Sequence, residues 1–569
     1  MLNHSKIALK AINSACDYQL KYLIEDPNSD MFGTGIYIYV DTQYAADQII
    51  AAAMNYVMGY YFKGSKYYQN KMMLEKSLAF VKFFDERYVH EDGSIDLQST
   101  NFHCPNTTGF GITTYFARVL YIIEKYTSHT KEEDELFDTM IATLRKMNEA
   151  IKHLGFHTPN HRWAITGALC ACYKFLGDEE SLEVMNRFLS EGIDCSDQGE
   201  WTERSTGCYN LICDREYLFL YFQTGDKKFL DPVVRNLKLM FSLTEADDSV
   251  CTMSSTRIDN GTYHTIEEYY QLYYAAAIYS KDPELAWYAD HLMKKLDAME
   301  VANVPPRSDR SFVVFLTMMD PDINKIEKEI KTKKPDLHKS VLLKSGMARY
   351  YYGKNKSDCL TLVQSPYQNF LNFHFSKTAE VKCRFAGAFF GDEHSIFRAD
   401  SLTQREDGAF VMTAHDTAGY KSLFDTPPET SDWWKMDHSK RKVVNERHFN
   451  RTVVITPIKN GFAIDYETEG DEDIPLKFEF VMSPGGIYKN KSNMVYADKG
   501  AYVIQLDGPG EVYHPGWPIV TIKGNGIEKS LGRHMRGSGP YAKDSFTVAI
   551  LSTSNAKEHY EFTYKPFFD

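Results

Sequence analysis

The stretch from residue 196 to residue 210, SDQGEWTERSTGCYN, is unusually dense in side chains that can do chemistry. Within fifteen residues it carries three carboxylates, an arginine, a tyrosine and an asparagine. A helix cap needs only one side-chain oxygen, which Ser205 or Thr206 can supply, so capping does not explain this composition. The residues in question are Asp197, Glu200, Glu203, Arg204, Tyr209 and Asn210. We interpret the stretch as a candidate functional loop, with a plain polar connector as the alternative.

Three other connecting stretches carry side chains of the same kind. They are DGSIDLQSTNFHCPNTTGF (92–110), GFHTPNHRW (155–163) and MSSTRIDNGTYHT (253–265). Asparagine, aspartate and serine are ordinary in loops, but that composition does not account for the histidines and arginines found here. The candidates on these stretches are His103, Asn106, Asn160, His161, Arg162, Arg257 and His264.

These side chains suit an anionic substrate. The sequence has no metal-ligand spacing, no nucleophile elbow, no phosphate loop and no dinucleotide-binding glycine pattern, so we expect neither a metal nor an organic cofactor. What remains is a set of cationic and amide groups with a tyrosine. Such a set can bind a negative charge while a phenolic oxygen removes a proton.

A repeating helical pattern must position these connectors. From Ile7 to about Leu296, aromatic and alanine-rich helices alternate with helices whose apolar residues recur at helical spacing. Short polar turns near Gly64, Thr127, Gly177, Gly225 and Asp282 divide them into hairpins. In a curved array of hairpins, the turns lie on one rim and the connectors on the other. We therefore predict an α/α toroid, an incomplete barrel of helical hairpins, with a cleft at the connector rim.

The pattern changes after the helices. From about residue 340, short β-rich runs broken by glycine, asparagine and aspartate predict an antiparallel β-sandwich. We expect a toroid over 1–302, a linker over 303–340 and a sandwich over 341–569. Within the sandwich, the segment 420–441, YKSLFDTPPETSDWWKMDHSKR, is predicted to be a long ordered loop. Its paired tryptophans would either stack on a sugar or lie in an interdomain interface.

Composition narrows the classes of partner and the cellular location. The formal net charge of −13 argues against broad binding of nucleic acid or of an anionic membrane, and no apolar run reaches transmembrane length. The ten cysteines show no paired framework, so we expect free thiols in a reducing compartment. We predict a cytoplasmic protein, or a secreted or periplasmic one if a signal peptide has been removed. The sequence does not indicate an oligomeric state.

The predicted domain order and two short motifs resemble the heparinase II/III-like polysaccharide lyases and the related alginate lyases. The motifs are Asn160-His161 in TPNHRW, and Tyr209 in a G-x-W-x-E-x-S-x-x-x-Y-N stretch. The resemblance implies that the asparagine and histidine neutralise a uronate carboxylate and that the tyrosine moves protons during β-elimination. It also implies a histidine or tyrosine from the sandwich, for which the candidates are His415, Tyr420 and His438.

The physical demands of that reaction agree with the residue types. Removing the proton beside an ionised carboxylate builds up negative charge, which amide and imidazolium donors would stabilise. A tyrosine has an ordinary pKa near 10, so we expect a cation, Arg204 or His161, to favour its ionised form. We expect Tyr209, His161, Asn160 and Arg204 to act in catalysis. The expected substrate-binding residues are His103, Asn106, Arg162, Glu203, Arg257, His264, Trp433, Trp434 and His438. For Arg257, a salt bridge to Asp259 or to a helix-start carboxylate is the alternative.

The predicted function is therefore a lyase that cleaves acidic oligo- or polysaccharides at a uronic acid and leaves a 4,5-unsaturated end. Two alternatives stay open. A glycoside hydrolase on an α/α toroid would use paired carboxylates, which Asp197, Glu200 and Glu203 can supply. A non-catalytic protein that binds acidic glycans would use the same cleft without turnover.

Overall fold

The structure is a computed structural model that describes residues 1–29, 32, 45–97, 101–302, 310–364, 367–376, 379–527, 535 and 543–567. The chain divides into two compact units. The helical unit comprises residues 1–241 and 248–337, and the sandwich unit comprises residues 242–247 and 338–569.

The helical unit is built mainly from helical hairpins. A π-helical turn, Ile112–Phe116, joins its fourth and fifth helices, and a 3₁₀ turn, Ile266–Tyr269, precedes its eleventh. A two-stranded ribbon, β1 Ile95–Leu97 and β2 Asn101–Cys104, lies before the fourth helix. The helices are α1 Ser5–Tyr22, α2 Ala45–Tyr61, α3 Lys71–Arg87, α4 Pro105–Gly111, α5 Ala117–Tyr126, α6 Lys131–His153, α7 Pro159–Leu176, α8 Glu179–Ser190, α9 Tyr209–Thr224, α10 Lys227–Leu243, α11 Tyr270–Ser280, α12 Pro283–Val301, α13 Ser311–Met319 and α14 Ile323–Glu329.

The predicted hairpin turns are confirmed, and local residue chemistry explains them. Gly177 and Gly225 end α7 and α9 with φ of 65° and 69°, a left-handed conformation that glycine adopts without steric cost. Asp178 and Asp282 then accept backbone N–H bonds as the N-caps of α8 and α12. In the α7–α8 hairpin, for example, the chain turns where a glycine ends the first helix and an aspartate caps the start of the second.

Burial separates the helices into two kinds. In α11, nine consecutive residues from Tyr270 to Ile278 are buried, and α7 and α9 are also buried on most sides. In α8, by contrast, the buried residues are only Ser181 and Met185. A helix that is buried all round must lie among other helices, whereas an amphipathic one covers them. The helices α7 and α9, which begin at the candidate connectors, therefore belong to the inner layer of the toroid.

The sandwich unit consists almost entirely of strands. A short helix, α15 Asp392–Ser395, interrupts them. The strands are β3 Val341–Leu343, β4 Met347–Tyr352, β5 Asp358–Val363, β6 Asn369–Phe375, β7 Ala379–Gly387, β8 Ser401–Gln404, β9 Phe410–Lys421, β10 Val443–Ile458, β11 Gly461–Gly470, β12 Pro475–Met482, β13 Ile487–Lys489, β14 Met494–Tyr496, β15 Tyr502–Ile504, β16 Gly510–Tyr513, β17 Ile519–Lys523, β18 Phe546–Thr553 and β19 Lys557–Lys565.

Two large sheets form the sandwich. Within the described residues, one has the strand order β14-β13-β16-β17-β19-β11-β10-β9-β8 and the other the order β15-β18-β12-β7-β6-β5-β4-β3. Neighbouring strands pair antiparallel, except that β15 runs parallel to β18. Aromatic rings from both sheets fill the core: the Phe373 ring of β6 lies 5.3 Å from that of Phe462 in β11 and 5.9 Å from that of Phe562 in β19. The predicted fold class, helical hairpins followed by an antiparallel sandwich, is confirmed.

The join between the units differs in detail from the expected linker. The helices α13 and α14 lie within 303–340, and the apolar α13 is largely buried. The segment 242–247, whose first two residues are the last two of α10, belongs to the sandwich unit because the fully buried Arg349 of β4 holds it. Arg349 pairs with Glu245 at 2.5 Å and donates from Nε to the carbonyl of Ser242 at 2.9 Å.

The expectations for cysteines and membrane segments can also be compared with the structure. All ten cysteines are free, as predicted, and most are buried. Burial raises the pKa of several of these thiols, including that of Cys208 to about 11, which makes it a poor nucleophile near neutral pH. Among the described helices, none is both long enough and apolar enough to span a bilayer.

Candidate active site

The four polar connectors meet in the helical unit. The Asn106 amide lies 3.2 Å from Nδ1 of His157, which joins the first connector to the second. The Asn160 amide bonds to Glu203, joining the second to the third, and Arg257 on the fourth pairs with Glu203 at 2.8 Å. The predicted convergence of these connectors is therefore confirmed by direct contacts.

A buried carboxylate occupies the centre of this convergence. Glu203 is only 4% exposed, and Asn160 is fully buried. The Asn160 Nδ2 group donates to both Glu203 carboxylate oxygens, at 3.1 and 2.9 Å. Burial raises the pKa of Glu203, and the bonds from Asn160 and the charge of Arg257 oppose that shift. We use the name Glu203 cluster for Asn160, His161, Glu203, Tyr209 and Arg257.

The start of α7 explains why Asn160 needs Glu203. Pro159 occupies the first turn, where its missing N–H costs nothing, and the N-cap residue Thr158 makes no side-chain capping bond. The backbone N–H of Asn160 donates instead to Glu203 at 3.1 Å. A carboxylate from another connector thus caps the helix and complements its positive end. Asn160 has a structural role at the helix start, and Oδ1 of its amide is buried without a hydrogen-bond partner in the described part of the chain.

His161 lies beside this pair as a neutral imidazole. Its Nδ1 is 2.8 Å from the Thr158 hydroxyl, which also accepts a bond from the Asn160 amide at 3.1 Å. Burial, and then the nearby His157 and Arg257, lower the pKa of His161 to about 3. The sequence analysis expected an imidazolium at this position, whereas burial and the neighbouring positive charge of Arg257 favour the neutral ring in this structure.

Arg257 is the cation that faces Tyr209. Its guanidinium carbon lies 4.4 Å from the centroid of the Tyr209 ring, while its Nη1 pairs with Glu203. The sequence analysis expected Arg204 or His161 in this position, and it considered Asp259 or a helix-start carboxylate as the partner of Arg257. The observed partner, Glu203, is a carboxylate at the start of α7, and a contact between two connectors brings Arg257 to the tyrosine ring.

A second buried carboxylate fixes the loop that carries Tyr209. Asp259, which is 2% exposed, accepts bonds from the Ser205 hydroxyl at 2.8 Å, the Ser255 hydroxyl at 2.5 Å and the Gly207 N–H at 2.9 Å. Ser205 in turn accepts the backbone N–H of Tyr209 at 3.0 Å. These bonds hold Tyr209 at the first position of α9, so Asp259 and Ser255 position the tyrosine without lying next to it in sequence.

Gly207 and His264 are packed in close contact. A Cβ atom at residue 207 would lie 2.5 Å from Cδ2 of His264, well inside the normal contact distance. The glycine is therefore required by this neighbour. His264 is further held by Thr262, 3.1 Å from its Nε2.

Other predicted site residues of the helical unit have different partners. Arg162 pairs with Glu191 at 2.9 Å and with Asp194 at 3.3 Å, and its guanidinium stacks on Trp163. These three contacts occupy the guanidinium and stabilise the start of α7. His103 pairs with Asp92 at 2.7 Å. In the described residues, neither Arg162 nor His103 bonds to a member of the Glu203 cluster. Arg204 has a left-handed φ of 51° within its turn.

Sequence reasoning missed four residues that organise this region: His157, Thr158, Ser255 and Asp259. His157 is exposed, and its ring lies 4.7 Å from that of His161. Thr158 and His157 precede Asn160 by two and three residues, so their proximity was available in the sequence. The roles of Ser255 and Asp259 depend on a contact between connectors some fifty residues apart, which spacing does not reveal.

The candidates of the sandwich unit lie in local clusters. His415 pairs with Asp400 at 2.8 Å, and the Tyr420 ring packs against Phe390 at 5.1 Å. In the predicted long loop, the His438 ring lies 4.2 Å from that of Trp433. Trp434 is the most exposed of these residues, at 90%. The loop lies between β9 and β10 and contains two 3₁₀ turns, as expected for an ordered segment.

Comparison with known proteins extends the description of the fold. No family model and no curated protein matches the chain. Among solved structures, a mutant of the heparan sulfate lyase HepC from Pedobacter heparinus is similar, with a TM-score of 0.53, 11% identity, and 98% of this chain and 83% of that chain covered. A heparinase III structure has a TM-score of 0.52 and 10% identity over 98% of this chain and 85% of that one. The chain has a heparinase-like polysaccharide lyase fold. The likeness covers both units, and at this identity it concerns the fold alone.

Proposed function

We propose that this chain is a lyase that cleaves a glycosidic bond at a uronic acid by β-elimination. The observation that carries the proposal is the Glu203 cluster, in which Tyr209, the Arg257 guanidinium and the neutral His161 lie together at the connector rim. The likeness of the fold to heparan sulfate lyase and heparinase III supports the same reaction class. The substrate class is an acidic oligo- or polysaccharide that contains uronate.

The reaction explains why such a cluster would be useful. A base takes the proton at C5, the bond from C4 to the glycosidic oxygen breaks, and a double bond forms between C4 and C5. The departing oxygen takes up a proton. Negative charge grows on the uronate carboxylate as the C5 proton leaves, so hydrogen-bond donors fixed beside that carboxylate lower the barrier.

His161 is suited to donate such a hydrogen bond without carrying a charge. In our proposal, the Thr158 hydroxyl accepts a hydrogen bond from the Asn160 amide and donates a hydrogen bond to Nδ1 of His161. The ring hydrogen then lies on Nε2, which donates to the substrate carboxylate. Glu203, Asn160 and Thr158 would thus set the tautomer of His161.

For Asn160 we propose a part that differs from the direct carboxylate contact expected from the sequence. Its amide is fully buried and its N–H groups bond to Glu203 and Thr158, so it holds the start of α7 in the resting structure. We propose that Asn160 acts mainly as a positioning residue for His161. A direct bond from Asn160 to the carboxylate would require its amide to leave Glu203.

Tyr209 is our candidate for proton transfer. Arg257 places a positive charge against the ring, which stabilises negative charge on the phenolic oxygen while the proton moves. Glu203 holds that guanidinium from the other side at 2.8 Å. Asp259 and Ser205 fix the backbone from which the ring projects.

The direct test is to follow ultraviolet absorbance of the conjugated 4,5-ene while the protein is incubated with heparan sulfate, chondroitin sulfate, hyaluronan and alginate. We expect absorbance to rise with at least one of them. Tyr209→Phe should lower the rate by a factor of at least about 10² with little change in Tm, because it removes one oxygen and almost no volume.

The matched control is Tyr263→Phe, which changes an exposed tyrosine on the neighbouring connector and should leave the rate nearly unchanged. A folded Tyr209→Phe protein with normal activity would remove Tyr209 from the mechanism. Release of reducing sugar without the chromophore would instead identify a hydrolase, and binding without any product would identify a glycan-binding protein.

A further inference from the structure

The sandwich unit contains a cavity of about 910 Å³ that no part of the proposed reaction uses. It lies where β4, the turn between β10 and β11, and the end of β19 come together. The side chains that the proposal uses are those of Tyr350, Tyr352, Lys354, Asn355, Lys459, Asn460 and Tyr564. All of them belong to the sandwich unit, whereas the Glu203 cluster belongs to the helical unit.

Three tyrosine rings line this cavity, and two of them are fixed from behind. The Tyr352 ring stacks on Phe373 at 6.0 Å, and the Tyr564 ring stacks on Phe375 at 5.1 Å. The Tyr352 hydroxyl donates to the carbonyl of Gly461 at 2.6 Å. Rings held in this way present flat apolar faces at little cost in conformational entropy when a ligand binds.

A buried carboxylate anchors one of these two rings from its hydroxyl end. Asp358 is fully buried, and its Oδ1 accepts the Tyr564 hydroxyl at 2.7 Å and the Ser357 hydroxyl at 3.1 Å. Burial raises the pKa of Asp358. Tyr350 differs from the other two tyrosines, because its hydroxyl has no hydrogen-bond partner within the described residues and is free to bond a ligand.

The lining of the cavity is cationic and rich in amides. Lys354 and Lys459 are both exposed, and within the described part of the chain neither ammonium group is paired. No aspartate or glutamate is among the described lining residues, although the protein as a whole is acidic. Lys459 and Asn460 form the two-residue turn between the paired residues Ile458 and Gly461, so their backbone position is fixed.

We propose that this cavity is a second binding site for an acidic saccharide. The tyrosine rings would stack on the apolar faces of the sugar, the asparagine amides would bond its hydroxyl groups, and the two lysines would pair with its carboxylate or sulfate groups. An open cavity with rigid aromatic walls and a few convergent polar groups is the usual form of a small-ligand site. The identity of the ligand class rests on the proposed function, but the existence of the site does not.

The experiment measures saccharide binding to the full chain carrying Tyr209→Phe, which prevents turnover from obscuring the result. The probes are tetrasaccharides of chondroitin sulfate and of alginate, with cellotetraose as the neutral comparison, and the method is isothermal titration calorimetry. In this background, adding Lys354→Ala and Lys459→Ala together should weaken one binding component for an acidic probe about tenfold or more, because two charged hydrogen-bond donors are lost.

The matched control is Lys565→Ala, which removes an exposed lysine next to Tyr564 that does not line the cavity. It should leave binding unchanged. As a second variant, Tyr350→Ala should weaken the same component without a loss of charge. Unchanged affinity in the double lysine variant, equal binding of cellotetraose, or no binding of either acidic probe would each overturn the proposal.

These outcomes are distinguishable from a failure of the proposed function. If no glycan yields the unsaturated product but acidic probes bind in a manner that depends on Lys354 and Lys459, the lyase proposal is wrong, whereas the proposal of a saccharide site in the sandwich unit is supported. If cleavage depends on Tyr209 while the lysine variants bind normally, the site fails and the lyase proposal remains.

Discussion

Two stretches of this chain are dense in polar and aromatic residues, but they differ in how far along the sequence their contact partners lie. In the connector 196–210, Glu203 bonds to Asn160 and Arg257, which are 43 and 54 residues away in sequence. In the loop 420–441, the contacts of His438 and Arg441 are local: His438 packs on Trp433, and Arg441 donates to the carbonyl of Ser422, 19 residues away. The first stretch joins segments of the helical unit, and the second lies within the sandwich unit.

The difference shows what local density does and does not predict. A cluster of unusual residues indicates an ordered segment in both cases. Only the first stretch is buried against distant partners, with Glu203 4% exposed, whereas Trp434 in the second is 90% exposed. Substitutions should therefore affect stability strongly in the connector and weakly in the loop, and the following predictions test that contrast.

The largest effect is expected for Asn160→Asp. The new carboxylate would lie against the buried Glu203 carboxylate, which now receives two N–H bonds from the Asn160 amide. Two like charges at a buried site, with the bonds lost, should lower the free energy of unfolding by about 3–5 kcal/mol. Denaturation in urea measures this change.

A second substitution, at Glu203, tests whether the loss of stability comes from the contact between residues 160 and 203. In the double variant Asn160→Asp/Glu203→Gln the amide and the carboxylate exchange places, so that the introduced glutamine can donate to the introduced aspartate and the net charge is that of the wild type. We expect the double variant to recover a large part of the lost stability. If the double variant lost as much stability as the single losses of Asn160→Asp and Glu203→Gln added together, a direct bond between residues 160 and 203 would be contradicted. Activity of the recovered protein would then show whether the amide at residue 160 is needed by the substrate.

A smaller loss of stability is expected for Gly207→Ala. The added methyl would meet the His264 ring at 2.5 Å, so the ring or the loop must move. Such overpacking should cost about 1–3 kcal/mol and displace Tyr209, and thus lower activity as well. The matched control is Gly155→Ala on a neighbouring connector, where a Cβ would meet nothing within 4 Å. Equal Tm values for the two variants would show that the contact with His264 is not restrictive.

The fold and the convergence of the connectors could be predicted from the sequence, because both depend on short-range features of the chain. Hairpin turns at Gly177 and Gly225 follow from glycine at helix ends, and the convergence of connectors follows from the geometry of stacked hairpins. The short motifs also placed Asn160 and Tyr209 in one region, where the structure has both beside Glu203 or Arg257.

The partners inside the site could not be predicted, because they depend on tertiary contacts. Arg204 is five residues from Tyr209 in sequence, but Arg257 is the residue that stacks on its ring. The neutral state of His161 likewise depends on burial and on the neighbouring His157 and Arg257, which lower its pKa to about 3. Neither fact is visible in the spacing of residues, whereas both follow at once from the fold.

The neutral state of His161 predicts a dependence of stability on pH. Its folded-state pKa of about 3 lies below the ordinary value of 6.5, so between these values the unfolded chain binds more protons. The contribution of His161 is therefore fully present above pH 6.5 and is lost as pH falls towards 3, by at most about 1.4 kcal/mol for each pH unit. His161→Gln should remove this part of the loss, as measured by urea denaturation over that range. The exposed His129→Gln serves as control, and parallel curves for wild type and His161→Gln would contradict a buried neutral imidazole.

The smallest effect on stability is expected at Trp434, one of the two tryptophans that we expect to contact sugar. Because its side chain is 90% exposed, Trp434→Ala should change the free energy of unfolding by no more than about 0.5 kcal/mol. Trp433→Ala is the matched comparison, since that ring packs on His438 and lies 5.5 Å from the Arg441 guanidinium, and it should cost more. If the loop stacks on substrate, Trp434→Ala should raise KM severalfold for a cleaved glycan while Tm stays the same. A fall in Tm as large as that of Trp433→Ala would contradict the exposed position of Trp434, and an unchanged KM would remove this residue from the substrate-binding set.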